Sequence, residues 1–322
     1  MKLLIAYDGS RCAEAALDDL THAGLPVKGE AMVISVAEVW LPPPPPSSLE
    51  IVELAVTAKG PIGLERKYMA GSAAVEDAEA LAAKAAARFR ANFPEWTVKQ
   101  EAVWGSPNWE IFSKAREWDA DLIVVGSHGR TALGRFFLGS ISQWLLNEAR
   151  CSVRVARGKI DEPDFPVRLI VGLDGSRNAH ATLAQVAARN WPEKSEVRVV
   201  VVDQPLEPTV VGEFIPAVRQ SVNCKESEKS RNLASAAASR LRAKGLRAEP
   251  VVKIGDPKHE LVKFAEEWRA DCIFLGATGL TSRLERFLLG SVAGAVATRA
   301  HCSVEIVRKK SLRGRPNGNG KR

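Results

Sequence analysis

A short motif near the start of the chain decides the fold, because it occurs twice. Residues 3–10 read Leu-Leu-Ile-Ala-Tyr-Asp-Gly-Ser, and residues 169–176 read Leu-Ile-Val-Gly-Leu-Asp-Gly-Ser. Residues 104–129 match residues 254–279 at 11 of 26 positions, and Cys-Ser-Val stands at both 151–153 and 302–304. Most of the 322-residue chain is therefore two copies of one unit of about 150 residues, the size of an ordinary domain.

Each copy alternates short apolar runs with longer segments of helical periodicity. In the first copy the pattern predicts strands over 3–7, 31–36, 97–104, 121–125 and 152–156, and helices over 10–23, 73–93, 107–118 and 139–148. The strand runs are mostly or continuously apolar, which is typical of strands buried on both faces. The second copy repeats the order, so we predict two doubly wound α/β domains with parallel sheets.

The repeat offset, which is the difference in residue number between equivalent positions of the two copies, locates the segments that lie outside the repeated units. The offset falls from 166 to 150 between the first and third strands, so the first copy has 16 extra residues there, including five prolines at 42–46. Because prolines cannot join a sheet interior, we interpret residues 41–71 as a surface excursion. The copies cover about 1–157 and 167–308, with a linker at 161–166 and a tail at 309–322.

Charge and composition exclude several classes of protein. Six basic residues and no acidic ones lie in the tail, so the remaining 308 residues carry only about +1 of the net charge of +7. A nearly neutral body gives no basic face for specific binding of nucleic acid. No apolar run is long enough to span a membrane, no signal-peptide core precedes Asp8, and five cysteines without a C-x-x-C motif form no disulfide or zinc framework. We therefore expect a cytoplasmic protein.

Three loops of the first copy follow strands, where an open parallel sheet binds its ligands. Asp8 follows the first strand, and Val36 stands at the end of the second. The fourth strand leads into Gly126-Ser127-His128-Gly129, and Gly139-Ser140 then opens a helix. Glycines allow close approach of the backbone to a ligand, and a helix N-terminus attracts phosphate. Together these features predict a nucleotide site.

The spacing Gly126-x2-Gly129-x9-Gly139-Ser140, with Asp8 after the first strand, resembles that of the universal stress protein family. The resemblance covers both copies and implies a Rossmann-like, adenine nucleotide alpha hydrolase-like fold. In ATP-binding members the glycine motif holds the ribose and phosphates. The resemblance then implies that Asp8 and the main chain of Val36 hold the adenosine end of ATP, AMP or ADP. Mg²⁺, where present, would arrive with the nucleotide.

The second copy keeps most of this pattern and departs from it in the glycine loop. Its equivalent residues are Asp174, Val201, Gly276, Gly279, Gly290 and Ser291. Ten residues rather than nine separate the last two loop glycines, and Thr-Gly-Leu at 278–280 replaces His128-Gly129-Arg130, which removes a cation near the expected phosphates. The extra residue must either bulge outward or shift the start of the helix. We therefore expect copy two to bind nucleotide more weakly than copy one.

Three kinds of function are compatible with these residues. The one that we favour is a nucleotide-binding stress-response or signalling module whose output is a change of conformation or partner. A slow ATPase or autophosphorylating enzyme is the second, but the sequence places no general base beside His128 and has no G-x-x-x-x-G-K-[ST] loop. The third is an interaction protein without nucleotide, against which the intact glycine motif of copy one argues.

The last strand of each copy predicts how the copies assemble. Both strands begin with Cys-Ser-Val and are apolar, and each would lie at a sheet edge, where unpaired backbone groups favour pairing. In the resembled family such strands pair between subunits. We expect them to pair here within one chain, as a pseudo-dimer, while a homodimer of whole chains stays open.

The basic tail leads to a first prediction. Removing residues 309–322 should leave the melting temperature and the affinity for ATP unchanged, because a flexible cationic segment contributes only weak, salt-dependent attraction to polyanions. Differential scanning calorimetry and titration of the truncated chain would test this. A melting temperature that falls by several degrees would mean that the tail is docked on a domain.

Overall fold

Strands and helices alternate through both halves of the protein in a computed structural model. It describes residues 1–39, 62–129, 138–157, 166–204, 216–278 and 289–309, without the side chains of 62–70 and 216–226. The elements of copy one are β1 Lys2–Ala6, α1 Arg11–Asp19, β2 Glu30–Ala37, α2 Ile62–Asn92, β3 Thr97–Trp104, α3 Pro107–Glu117, β4 Leu122–Gly126, α4 Ser140–Glu148 and β5 Ser152–Ala156.

Copy two repeats this order of elements. Its elements are β6 Arg168–Leu173, α5 Arg177–Ala187, β7 Glu196–Asp203, α6 Pro216–Arg242, β8 Arg247–Ile254, α7 Pro257–Glu267, β9 Cys272–Gly276, α8 Ser291–Arg299 and β10 Ser303–Val307. The helix starts follow capping chemistry: Ser10 and Ser176 each accept a hydrogen bond from the backbone N–H three residues on. Proline occupies the first position of both α3 and α7.

The strands form one sheet in the order β3-β2-β1-β4-β5-β10-β9-β6-β7-β8. Within each half all pairs are parallel, which confirms the predicted doubly wound α/β class. Successive strand residues point to opposite faces. Leu4 therefore joins the core beneath α3 and α4, whereas Leu3 and Ile5 join the core beneath α1 and α2.

The second helix of copy one begins inside the segment 41–71 that we interpret as an excursion, so its predicted start is wrong. Helix α2 begins at Ile62, eleven residues before the predicted start at Ala73, so residues 62–71 are helical. The apolar stripe from which the helix was predicted begins only at Val75, and the residues before it carry no such signal. The proline run lies outside the described residues, as does most of the predicted linker.

The two copies are joined by their last strands. Strands β5 and β10 pair antiparallel, with Val304 opposite Val155 and Glu305 opposite Arg154. The predicted pairing of the copies within one chain is therefore present. Cys151 and Cys302, which precede these strands, are both buried, and burial raises the pKa of the Cys302 thiol to about 12.

A buried ionic network lies on one face of this strand pair. Arg154 is 1% exposed; its Nε and Nη2 donate to the two carboxylate oxygens of Asp19 at 2.6 and 3.0 Å. Its Nη1 donates to Glu305 at 3.3 Å, and Glu305 also accepts from Arg189 and Gln185. Burial disfavours the cation, but the two carboxylates outweigh burial and raise the pKa of Arg154 well above its ordinary value.

The opposite face of the strand pair is apolar and continuous between the copies. Val153, Val155, Val304 and Ile306 belong to one buried cluster that also contains residues of α3, α4, α7 and α8. By contrast, the cores beneath α1 and α2 and beneath α5 and α6 are separate clusters. The ionic network therefore lies on the face of the sheet where each copy has its own core. The opposite face carries a single core that both copies share.

The network predicts a large effect of one substitution on stability. Arg154→Met should lower the free energy of unfolding by about 3–5 kcal/mol, because it leaves the buried carboxylate of Asp19 without its cation and Glu305 with the Arg189 cation alone. Arg88→Met is the matched control, since Arg88 also bridges two carboxylates, Glu14 and Asp18, but is 38% exposed; we expect about 1 kcal/mol or less. Denaturant unfolding followed by circular dichroism would measure both. Equal effects would show that the network contributes no more than a surface pair.

Candidate functional site

The loop after β1 is held in one conformation by its own side chains. A carboxylate oxygen of Asp8 accepts a hydrogen bond from the backbone N–H of Ser10 at 3.0 Å. Gly9, with a φ of 74°, makes the left-handed turn between them, and Ser10 then caps α1. The Asp8 carboxylate is thereby fixed at the carboxyl end of β1, beside the loop that follows β4.

Gly126 and Gly129 open the loop after β4 and meet different neighbours. A Cβ at Gly126 would lie 2.8 Å from the backbone carbon of Cys12, so close packing of α1 on β4 already requires glycine there. A Cβ at Gly129 would lie 3.2 Å from Asp8 Oδ2. Gly129 therefore brings the glycine loop into contact with the Asp8 carboxylate, while Gly126 has a packing reason of its own.

The start of α4 closes this loop. The backbone N–H of Gly139 donates to the carbonyl of Ser127 at 2.8 Å, and Ser142 Oγ donates to the carbonyl of Gly126 at 2.7 Å. Gly139 is the N-cap residue of α4 and offers no side chain as a cap, and Ser140 is exposed. The helix thus presents backbone donors, a positive dipole end and a hydroxyl next to the glycine loop, the groups that bind phosphate.

The two ring nitrogens of His128 have different surroundings. Its Nδ1 lies 3.0 Å from Ser127 Oγ, and its Nε2 is buried without a hydrogen-bond partner among the described residues. Burial, followed by the nearby Arg157 cation, lowers the pKa of His128 below its ordinary value. The imidazole is therefore neutral at pH 7. Arg157 follows β5 and binds the carbonyl of Ala297 in the other copy.

Of the other residues predicted for the first site, the structure describes Val36 but not Arg130. Val36 is half-buried at the carboxyl end of β2. This end of β2 lies beside the end of β1, where Ser35 Oγ donates a hydrogen bond to the carbonyl of Tyr7. Asp8, Val36, the glycine loop and Ser140 therefore lie along one edge of the sheet. Arg130 lies outside the described residues.

Copy two has the same backbone frame. Asp174 accepts from the N–H of Ser176 at 2.9 Å, and Gly290 donates to the carbonyl of Ala277 at 2.6 Å. Gly290 and Gly139 have nearly equal dihedral angles, φ −65° and −60° with ψ 149° in both. The start of the helix is therefore not shifted, and the extra residue is accommodated between 278 and 289. Gly279 lies outside the described residues.

Side chains, rather than the helix start, distinguish the second site. Asn178 stands where copy one has Cys12, and its Nδ2 donates to the backbone and side chain of Thr278. A Cβ at Gly276 would lie 2.8 Å from Cβ of Asn178, so this glycine too is required by packing. The strand register makes Val202, not the predicted Val201, the equivalent of Val36, because Val36 pairs with Val103 and Val202 pairs with Lys253. Val202 is half-buried like Val36, and Ser291 is exposed like Ser140. The glycine loop of copy two is thus fastened to α5.

The sequence reasoning missed a cavity beside Ser140. It has a volume of about 940 Å³ and lies between the ends of β2 and β3 and the starts of α3 and α4. The signal was the segment Trp-Gly-Ser-Pro-Asn-Trp at 104–109, in which two tryptophans flank the turn into α3. These tryptophans line the cavity together with Asn108.

No group of three or more His, Cys, Asp or Glu side chains in the described residues could hold a metal ion. None of the helices in those ranges combines the length and the apolarity that a membrane-spanning segment requires.

Known proteins share both the sequence pattern and the architecture. The chain is 30% identical over 217 residues to universal stress protein Rv2005c of Mycobacterium tuberculosis, a match that covers 66% of this chain and 70% of that protein. It is 54% identical over 55 residues to universal stress protein MJ0531 of Methanocaldococcus jannaschii, of which the match spans 32% of the length. Universal stress protein Sll1388 of Synechocystis is 40% identical over 63 residues, 38% of its length.

Solved structures agree on the fold. A universal stress protein from Archaeoglobus fulgidus superposes with a TM-score of 0.62 at 19% identity, covering 96% of this chain and 98% of that one. A protein of unknown function from Pseudomonas aeruginosa PAO1 gives a TM-score of 0.58 at 12% identity, covering 96% and 92%. The profile of the universal stress protein family matches residues 1–157 and 167–308. The chain therefore belongs to the universal stress protein family and carries two domains of that family in tandem.

Proposed function

We propose that copy one binds an adenine nucleotide, ATP or its products AMP and ADP, and that this binding is the protein's function as a stress-response or signalling module. One observation carries the proposal: the Asp8 carboxylate, the glycine loop and the start of α4 lie in mutual contact. A Cβ at Gly129 would be 3.2 Å from Asp8, and a Cβ at Gly139 would be 3.3 Å from Cα of His128. A carboxylate and a helix N-terminus so close together suit a ligand with hydroxyl groups at one end and phosphates at the other.

Each residue then has a part that its chemistry allows. Asp8 and the main chain of Val36 would hold the adenosine end, and Gly126 and Gly129 would let the ribose approach the backbone. Gly139 and Ser140 would receive the phosphates at the start of α4. Arg130 would supply a cation near them. Mg²⁺ would be carried by the phosphates, which usually contribute several of its ligands.

Copy two would bind nucleotide weakly for a local reason. Its helix start matches that of copy one, so a displaced helix is not the cause. The differences are the Asn178–Thr278 link and leucine at 280 where copy one has Arg130. The link reduces the freedom of the glycine loop to adapt to a ligand, and the leucine removes a phosphate-binding cation.

The geometry favours a binding module over a slow ATPase. A general base must reach the water that it activates. Nε2 of His128 is buried, and Nδ1 lies within hydrogen-bond distance of Ser127 Oγ, so neither ring nitrogen is placed to activate a water. Nucleotide binding would change the conformation of the protein or its choice of partner.

A homodimer of whole chains would need another surface, because β5 and β10 already pair with each other.

Matched substitutions in the two copies test the proposal. Calorimetric titration of ATP into the full chain should give close to one tight site. Asp8→Asn and Gly139→Val should weaken it by about tenfold to several hundredfold, the effect of losing one or two charge-assisted hydrogen bonds. Asp174→Asn and Gly290→Val, at the equivalent positions of copy two, should change the affinity for that site less than about twofold.

Two further measurements separate binding from folding. Thermal unfolding without nucleotide should show that Asp8→Asn is as stable as Asp174→Asn, because both carboxylates cap the same turn. Mass spectrometry of the purified chain would identify any nucleotide that copurifies. Two sites of equal affinity, or a single site lost with Gly290→Val and kept with Gly139→Val, would overturn the assignment to copy one.

A further inference from the structure

The cavity beside Ser140 has the lining of a site for a cation. It is bordered by Glu38 at the end of β2, by Trp104 at the end of β3, and by Asn108, Trp109 and Glu110 in the first turn of α3. Its volume of about 940 Å³ is that of a site for a small molecule.

Two tryptophans present their rings to this cavity and to solvent. Trp104 is 42% exposed and Trp109 is 58% exposed, and they are two of the four large apolar side chains that are exposed among the described residues. Trp109 is not loose, because its ring packs on Phe112 at 5.9 Å, and Phe112 packs edge-on against Trp144 at 5.5 Å. A held, exposed indole face attracts cations through its quadrupole.

Two carboxylates are the charged groups of the cavity lining, which also contains the hydroxyls of Ser106 and Ser140. These carboxylates, Glu38 and Glu110, form no ion pair within the described part of the chain, and no basic residue lines the cavity there. Carboxylates without a cation, beside exposed indole faces, suit an occupant that is positively charged.

The same place in copy two lacks the aromatic walls. Ile254 and His259 stand where copy one has Trp104 and Trp109, although Glu260 keeps the position of Glu110. Both glutamates lie over a glycine with positive φ, since a Cβ at Gly105 or Gly255 would be 3.1 Å from the glutamate side chain. The backbone frame is thus shared, whereas the two tryptophans and Glu38, where copy two has Gln204, are particular to copy one.

We propose that this cavity binds an aliphatic oligoamine. Its ammonium groups would pair with Glu38 and Glu110, and its methylene chain would lie on the faces of Trp104 and Trp109. A polyphosphate fits poorly, because the two carboxylates repel it. Ser140 borders both this cavity and the proposed phosphate site, so a bound amine would lie next to the phosphates and strengthen nucleotide binding; this last step alone rests on the proposed function.

The test uses the full chain without nucleotide, so its outcome does not depend on ATP binding. Spermidine is titrated at 150 mM salt, with calorimetry and tryptophan fluorescence as readouts. We expect one saturable site that quenches or shifts the fluorescence. Trp109→Ala and Glu110→Gln should each raise the Kd by about fivefold or more, whereas Glu260→Gln should leave it within about twofold.

Other results would overturn the proposal. One is no saturable binding up to millimolar spermidine. Another is equal weakening by Glu110→Gln and Glu260→Gln, which would mean general attraction to acidic surface. A third is that Trp109→Ala weakens ATP and not spermidine, which would assign the cavity to the nucleotide. Because Trp109 and Glu110 are partly exposed, unchanged melting temperatures should show that both variants fold.

Discussion

The architecture depends on one buried contact, the pairing of Arg154 with Asp19 and Glu305 where the two copies meet. Arg154 and Glu305 occupy the same position in the two last strands, and the antiparallel register sets them opposite each other. A symmetric seam would put two arginines or two glutamates at this point, and like charges facing each other without water are costly. The duplicated strands have therefore diverged to opposite charges, and one copy complements the other.

That seam fixes where the two candidate sites lie. Because β5 and β10 run antiparallel, the carboxyl ends of the strands in copy one and copy two face opposite ends of the sheet. The sites are nevertheless connected through the seam. Arg157 lowers the pKa of His128 in the first glycine loop and also donates to the carbonyl of Ala297 in α8 of copy two. Arg308 makes the reciprocal contact with the carbonyl of Leu146 in α4.

Sequence reasoning reached the fold and the strand pairing because both follow from periodicity and repetition. It placed β3 and β5 at their observed bounds, and it missed the first turns of α2 because proline and a lack of apolar spacing hid them. It grouped Asp8 with Gly129 and Gly139, which lie near one another in the structure, and their role as a site stays a prediction. It could not separate packing from binding at Gly126, since only coordinates reveal that Cys12 of α1 lies against it.

The two copies share the features that the domain needs to fold and differ in residues near the candidate site. Turn glycines, capping serines and the closure of the glycine loop are the same in both, so they are what the domain needs to fold. Copy two joins its glycine loop to α5 by the Asn178–Thr278 link, where copy one has a contact of Ser127 with Cys12. Copy one instead has two exposed tryptophans, Trp104 and Trp109, that fill no core. Exposed indoles contribute little to folding, and these two lie beside the start of α4, so what distinguishes copy one from copy two lies next to the candidate site rather than in the cores.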